Sequence, residues 1–117
     1  MAAIIFFRSR DLETVSRFYT ERCGMELWLD QGGCRIYSSG EQLLGFCQRE
    51  EADTGGTITF FFQTREEVDE AYRQNRDIAL SPPQENPAYR IYHFYACDPE
   101  GRSVEFQCFD HSLPGYW

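Results

Sequence analysis

Apolar and polar positions follow the same order in two stretches of this chain. The run AIIFFR at 3–8 is apolar for five residues and then stops at Arg8, which predicts a short strand. It leads into Asp11, a residue type that caps helices by accepting backbone N–H groups. Leu12, Val15, Phe18 and Tyr19 then recur at helical spacing, and Gly24 stands where a left-handed residue would end that helix. Further along, TITFFFQ at 57–63 leads into Thr64 and Glu67, the spacing of a reciprocal capping box. Val68, Ala71 and Tyr72 supply the apolar face of the second helix, and Asn75 its end. After each helix the period shortens to that of strands. MELWLD (25–30), CRIYS (34–38) and QLLGFCQ (42–48) follow the first helix, punctuated by Gly32-Gly33 and Ser39-Gly40. YRIYHFYAC (89–97) and RSVEFQCF (102–109), joined by a DPEG turn, follow the second. Between them, SPPQENP (81–87) holds three of the five prolines and predicts a loop, a candidate lid, not a central strand.

The pattern therefore predicts a βαβββ unit used twice in one α+β domain. Module one spans 3–48, a charged linker 49–56, module two 57–109 and a tail 110–117. Phe6 to Phe60 and Phe46 to Phe106 set the repeat at about 54 to 60 residues, a period suited to two packed modules. The expected arrangement is a curved mixed sheet around a groove, with the ligand site in the groove where the modules meet.

Composition narrows the function. With 117 residues, 42% hydrophobic and 16% aromatic, the chain can build a core without staples. A net charge of −8 disfavours nucleic acid, whose affinity rests on phosphate neutralisation. No apolar run approaches the roughly 20 residues that span a bilayer and no leader pattern is visible, so the expectation is a cytoplasmic protein with no membrane partner. All eleven basic residues are arginine, which excludes chemistry that needs a lysine Schiff base or lysine general base. The five cysteines are scattered without a C-x-x-C pair and predict reduced thiols buried as small hydrophobes. Cys97 alone lies near a histidine, His93, and is the one thiol to consider for catalysis.

The last hairpin assigns faces. With Asp98 opposite Arg102, opposed residues sum to about 200, a one-residue slip being the alternative register. Tyr92, Phe94 and Ala96 then share the helix-covered face with Val104, Phe106 and Cys108. His93 and Tyr95 share the other face with Glu105 and Gln107, a polar cluster on an otherwise apolar sheet. Two readings stay open for Glu105: a carboxylate hydrogen-bonded to Tyr95 or Arg102 without chemistry, or a groove carboxylate that binds a polar ligand or abstracts a proton. His93 likewise reads as a satisfied histidine or a site residue, while His111 reads as surface.

The segments RDLETVSRFYTERCGMEL and DPEGRSVEF, with the repeat, make the chain similar to the vicinal oxygen chelate superfamily, the glyoxalase, bleomycin-resistance and dioxygenase proteins. The resemblance covers nearly the whole chain and implies the glyoxalase-like fold. It also implies four groove-facing strand positions that hold a divalent metal in the metal-dependent members. Those positions fall on Ile4, Gly45, Thr57 and Glu105, of which only Glu105 is a ligand type, so no metal and no other cofactor is expected. The groove is expected to be lined by Ile4, Phe6, Thr57, Thr59, Phe61, His93, Tyr95, Glu105 and Gln107. Glu105, His93 and Tyr95 are the catalytic candidates, and Phe6, Arg8, Thr57, Thr59, Phe61 and Gln107 the ligand-binding ones. The resemblance implies a metal-independent small-molecule binder. The alternatives are a lyase, isomerase or oxidoreductase with an atypically bound divalent metal, with Glu105 as ligand, and a regulatory or structural dimer without ligand. Two-module relatives are usually dimers, so a homodimer is expected, with the LPGYW tail covering a partner or folding back on its own subunit.

Overall fold

The computed structural model describes residues 1–116. The chain divides into two compact units, Met1–Gly55 with Asp98–Gly101, and Gly56–Cys97 with Arg102 onward. Each is built on a βαβββ order and a four-stranded mixed sheet.

In the first unit, strands β1 (Ile4–Ser9), β2 (Glu26–Asp30), β3 (Cys34–Ser39) and β4 (Gln42–Gln48) lie in the order β1-β4-β3-β2. β1 runs parallel to β4, and the remaining pairs are antiparallel. Helix α1 (Leu12–Arg17) starts where the Asp11 carboxylate accepts the Thr14 N–H at 3.2 Å. Gln48 reaches back from β4 and accepts the Leu12 N–H at 3.1 Å, satisfying another orphan donor of the first turn. The apolar stripe packs on the sheet: Val15, Tyr19 and Phe46 are fully buried, and the last two rings stack at 4.8 Å. The helix does not stay α-helical. Phe18–Arg22 is a π-helical turn, closed by Cys23 and by Gly24 at φ +69°. The turn beginning at Asp98 closes on this unit through the Tyr19 hydroxyl, which donates to the Asp98 carboxylate at 2.8 Å.

Two cysteines depart from expectation. Cys34 and Cys47 form a disulfide, where the sequence suggested free thiols. Their separation of 13 residues hides the reason, which lies in the β3/β4 register: the two residues sit directly opposite each other. Cys23, Cys97 and Cys108 are free, and burial pushes the Cys23 thiol up, away from thiolate chemistry.

In the second unit, β5 (Thr57–Phe62), β6 (Gln84–Asn86), β7 (Ile91–Cys97) and β8 (Ser103–Phe109) are ordered β5-β8-β7-β6, again with one parallel pair, β5/β8. Helix α2 (Arg65–Asn75) has both halves of the capping box between Thr64 and Glu67. Its Val68 and Ala71 are buried, and Tyr72 meets Phe94 edge-on at 5.5 Å. Phe94 and Phe106 stack at 5.0 Å beneath the helix, on the face assigned to them by alternation. The proline-rich stretch is not wholly a loop, since Gln84–Asn86 pairs with β7. Pro82, Pro83 and Pro87 flank those three residues without removing one of their N–H groups, and the strand is at the sheet edge, where proline neighbours are tolerated. Among the described residues no helix is long and apolar enough to cross a membrane.

Candidate functional site

Alternation puts one face of the second unit's sheet under α2 and turns the other away from that helix. On that open face the register draws three rows across the strands. Phe61, Gln107 and His93 form one, Thr59, Glu105 and Tyr95 the next, and Thr57, Ser103 and Cys97 the third. His93 opposes Gln107 and Tyr95 opposes Glu105, so the opposed residues sum to 200 without a slip.

Glu105 is the centre of this face. Its side chain is only 10% exposed, and both oxygens are engaged. Oε1 accepts a hydrogen bond from the Thr59 hydroxyl at 2.8 Å, and Oε2 lies 2.6 Å from His93 Nδ1. Tyr95 stands beside them, its ring edge-on to His93 at 5.3 Å. Burial, then the charge and hydrogen bonding of Glu105, raise the Tyr95 phenol above its ordinary value, so it is a neutral donor throughout the physiological range. The carboxylate is thus held by neighbours from β5 and β7, the two strands that flank its own, an arrangement fit to fix a histidine tautomer and orientation. Cys97 shares the face but lies four residues along β7 from His93, about 13 Å at strand rise, too far for a thiol–imidazole pair.

A recess of about 420 Å³ opens beside this cluster. The sheet contributes Thr59, Phe61, Gln107 and Phe109, and the C-terminal tail contributes Leu113, Pro114 and Tyr116. The tail therefore folds back on its own unit. It leaves β8 at Asp110, whose carboxylate takes two hydrogen bonds from Arg65 at 3.1 and 2.7 Å and whose N–H donates to the Arg90 carbonyl at 2.8 Å. These arginine contacts hold the Asp110 carboxyl below its ordinary value. Farther out, Tyr116 meets Phe61 edge-on at 5.2 Å.

Of the residues singled out in the sequence, Thr59, Phe61 and Gln107 line the recess, with Glu105, His93 and Tyr95 adjoining them through the rows. Thr57 is exposed in the third row and is not one of the lining residues. Phe6 and Arg8 belong to the first unit. Arg8 is held by Asp53 through its Nε at 2.7 Å and its backbone N–H at 2.8 Å. The Phe6 ring lies over Gly45, where a Cβ would collide with it. Phe109, Leu113, Pro114 and Tyr116 went unrecognised as lining. The density of apolar groups in FDHSLPGYW was the available signal, but sequence could not say which surface they would cover.

The donor set does not fit a divalent cation of the kind the resemblance implies. In the first unit the positions that the resemblance assigns carry Ile4 and Gly45, and the register sets Gly45 opposite Phe6, not Ile4, so neither choice of partner supplies a ligand type. In the second they carry Thr57 and Glu105, the register sets Thr59 opposite Glu105, and Glu105 has both oxygens engaged by Thr59 and His93. Among the described residues no three His, Cys, Asp or Glu side chains converge.

The sequence matches no protein-family model and no curated protein. Solved structures do match. A lactoylglutathione lyase from Agrobacterium tumefaciens superposes with a TM-score of 0.75 at 24% identity, covering 92% of each chain. A glyoxalase/bleomycin resistance protein/dioxygenase from Nocardioides gives 0.75 at 20% identity, over 100% of this chain and 89% of its own. A glyoxalase/bleomycin resistance protein/dioxygenase family enzyme from Burkholderia phytofirmans PsJN gives 0.78 at 19%, over 90% and 95%. With two βαβββ units matched along nearly the full length of these chains, this protein has the glyoxalase/bleomycin resistance protein/dioxygenase fold.

Proposed function

We propose that this protein is a metal-independent small-molecule binder, of the bleomycin-resistance type within its fold, whose ligand lies on the open face of the second unit against Thr59, Phe61 and Gln107. One observation carries the reading. The sole carboxylate at the metal-type positions is satisfied inside its own unit, by Thr59 at 2.8 Å and His93 at 2.6 Å, beside a recess of about 420 Å³. That volume falls in the usual range for small-molecule sites, and its walls are mostly apolar with a few polar groups to fix orientation. Thr59 and Gln107 supply those groups. The test is elemental analysis of the purified protein followed by thermal-shift titration with nickel, manganese and zinc. The reading expects substoichiometric metal and no melting shift. A shift that Glu105→Gln abolishes would replace it with metal-dependent catalysis.

A second reading, that the same face catalyses a proton transfer, draws on the His93–Glu105 pair, because a carboxylate-oriented imidazole is a common general base. Turnover of a carbonyl substrate that His93→Gln abolishes, with the fold intact, would favour it over binding alone.

The expected homodimer remains part of the proposal. Leu27, Trp28 and Leu29 on the edge strand β2 are 51%, 55% and 44% exposed, an apolar edge that pairing with a second copy would cover. Light scattering giving the 13.7 kDa of a single chain at micromolar concentration would refute it.

A further inference from the structure

We infer that the recess takes a planar aromatic ligand without negative charge, and that the C-terminal tail, pivoting at Asp110, is the gate that admits and retains it. The inference rests on the binding reading above and adds the ligand's chemistry and its route.

The ligand class follows from the walls. Phe61 is met edge-on by two rings, Phe109 at 5.7 Å and Tyr116 at 5.2 Å, both at 74°. A flat ring that enters the recess can take over the edge-to-face contact that Tyr116 makes, at little cost in ring–ring energy. The polar groups set the remainder. The Thr59 hydroxyl gives its proton to Glu105, so its oxygen faces a ligand as an acceptor, while the Gln107 amide can donate or accept. A ligand edge with an N–H or O–H donor therefore pairs well. Glu105, buried one bond network behind Thr59, repels an anion placed there.

The gate follows from how the tail is held. Asp110 is fixed by Arg65 and Arg90 through four hydrogen bonds, two to its carboxylate, one from its N–H and one to its carbonyl. Arg65 is itself tied to Glu85 at 2.8 Å and lies over the Tyr92 ring at 4.7 Å, so the pivot is anchored to β6 and β7. Past the pivot the tail supplies Leu113, Pro114 and Tyr116 to the recess, and Gly115 at φ +73° makes the turn that returns Tyr116 to Phe61. Tyr116 remains 56% exposed, so it covers the recess without being locked into a core. A fixed base and an end whose ring stays half-exposed make a segment that can open without unfolding the sheet.

The test uses the full chain and two fluorescent probes of similar size, an uncharged dimethylamino-naphthyl ketone and anilinonaphthalene sulfonate, followed by stopped-flow mixing. The neutral probe is expected to bind at least about tenfold more tightly than the sulfonate. Tyr116→Ala should raise both its association and dissociation rates by about tenfold while affinity moves less, and Tyr116→Phe should restore the parent rates. Circular dichroism of the two variants, expected to match the parent, controls for folding. Equal affinity for the sulfonate overturns the ligand class. Neutral-probe rates unchanged in Tyr116→Ala overturn the gate while leaving the binding reading standing. Failure of the parent protein to bind either probe overturns both.

Discussion

In the first unit, the third pair across the parallel strands is Phe6 with Gly45; in the second, the third pair is Thr59 with Glu105. The step in the βαβββ order is the same and the chemistry is opposite. The first unit fills the position with an aromatic ring laid over a residue that has no side chain. The second fills it with a buried carboxylate held by a hydroxyl and an imidazole. A repeated scaffold can therefore drop a polar constellation on one copy and keep it on the other, provided that each copy satisfies its own groups. Glycine does so by absence, and Glu105 by hydrogen bonding.

The largest expected effect comes from breaking the polar version. Glu105→Ala removes the acceptor from Thr59 and the partner from His93 while leaving a gap beside them. It should destabilise the protein by about 3 kcal/mol in urea unfolding, within the range for truncating one side of a buried, hydrogen-bonded pair. A loss under about 1 kcal/mol would mean that water replaces the carboxylate easily and that the cluster is no better built than the first unit's.

The apolar version is broken in the other direction, by adding atoms. Gly45→Ala forces the Phe6 ring aside and should cost about 1–2 kcal/mol, the usual penalty of modest overpacking. Because Phe6 is 48% exposed, the ring has somewhere to go, which keeps the cost at the low end. In the background of Phe6→Ala the same substitution should cost nearly nothing. A double-mutant cycle with no coupling between the two would show that Gly45 is not there to admit the ring.

These two pairs also mark where sequence was informative and where it was not. The rows of the second unit could be read because a short turn fixes the register of the final hairpin, and strand alternation then forces Glu105 and His93 to one face. Helix starts were readable from Asp11 and from Thr64 with Glu67 because capping is local chemistry. What escaped depends on pairing between distant residues or on backbone geometry that composition does not encode. Cys34 and Cys47 bond because β3 and β4 register there, not because of any spacing motif. The π turn at Phe18–Arg22 keeps the apolar stripe of a regular helix and leaves no trace in the sequence pattern. The tail's choice of surface was a competition between a partner and its own sheet, and nothing local decides that.

The smallest expected effect separates the units by acid. Asp11, capping α1 in the first unit, and Asp110, anchoring the tail in the second, both have carboxyls held below their ordinary value of 3.8, Asp11 by the Thr14 hydroxyl and N–H, Asp110 by Arg65. A depressed folded value means that each group's contribution is complete above about 3.8 and is lost as pH falls through the lower, folded value. From pH 7 down to about 5 neither anchor should weaken. Below about 3.8 both should, the first as fraying of α1 and the second as release of the tail from Phe61. Amide exchange at Thr14 reports the first and at Asp110, whose N–H donates to the Arg90 carbonyl, the second. Arg65→Gln removes the cause at Asp110 alone. It should move tail release upward in pH while leaving Thr14 unchanged, and a shift at both sites would mean that acid loosens the whole protein and not its separate anchors.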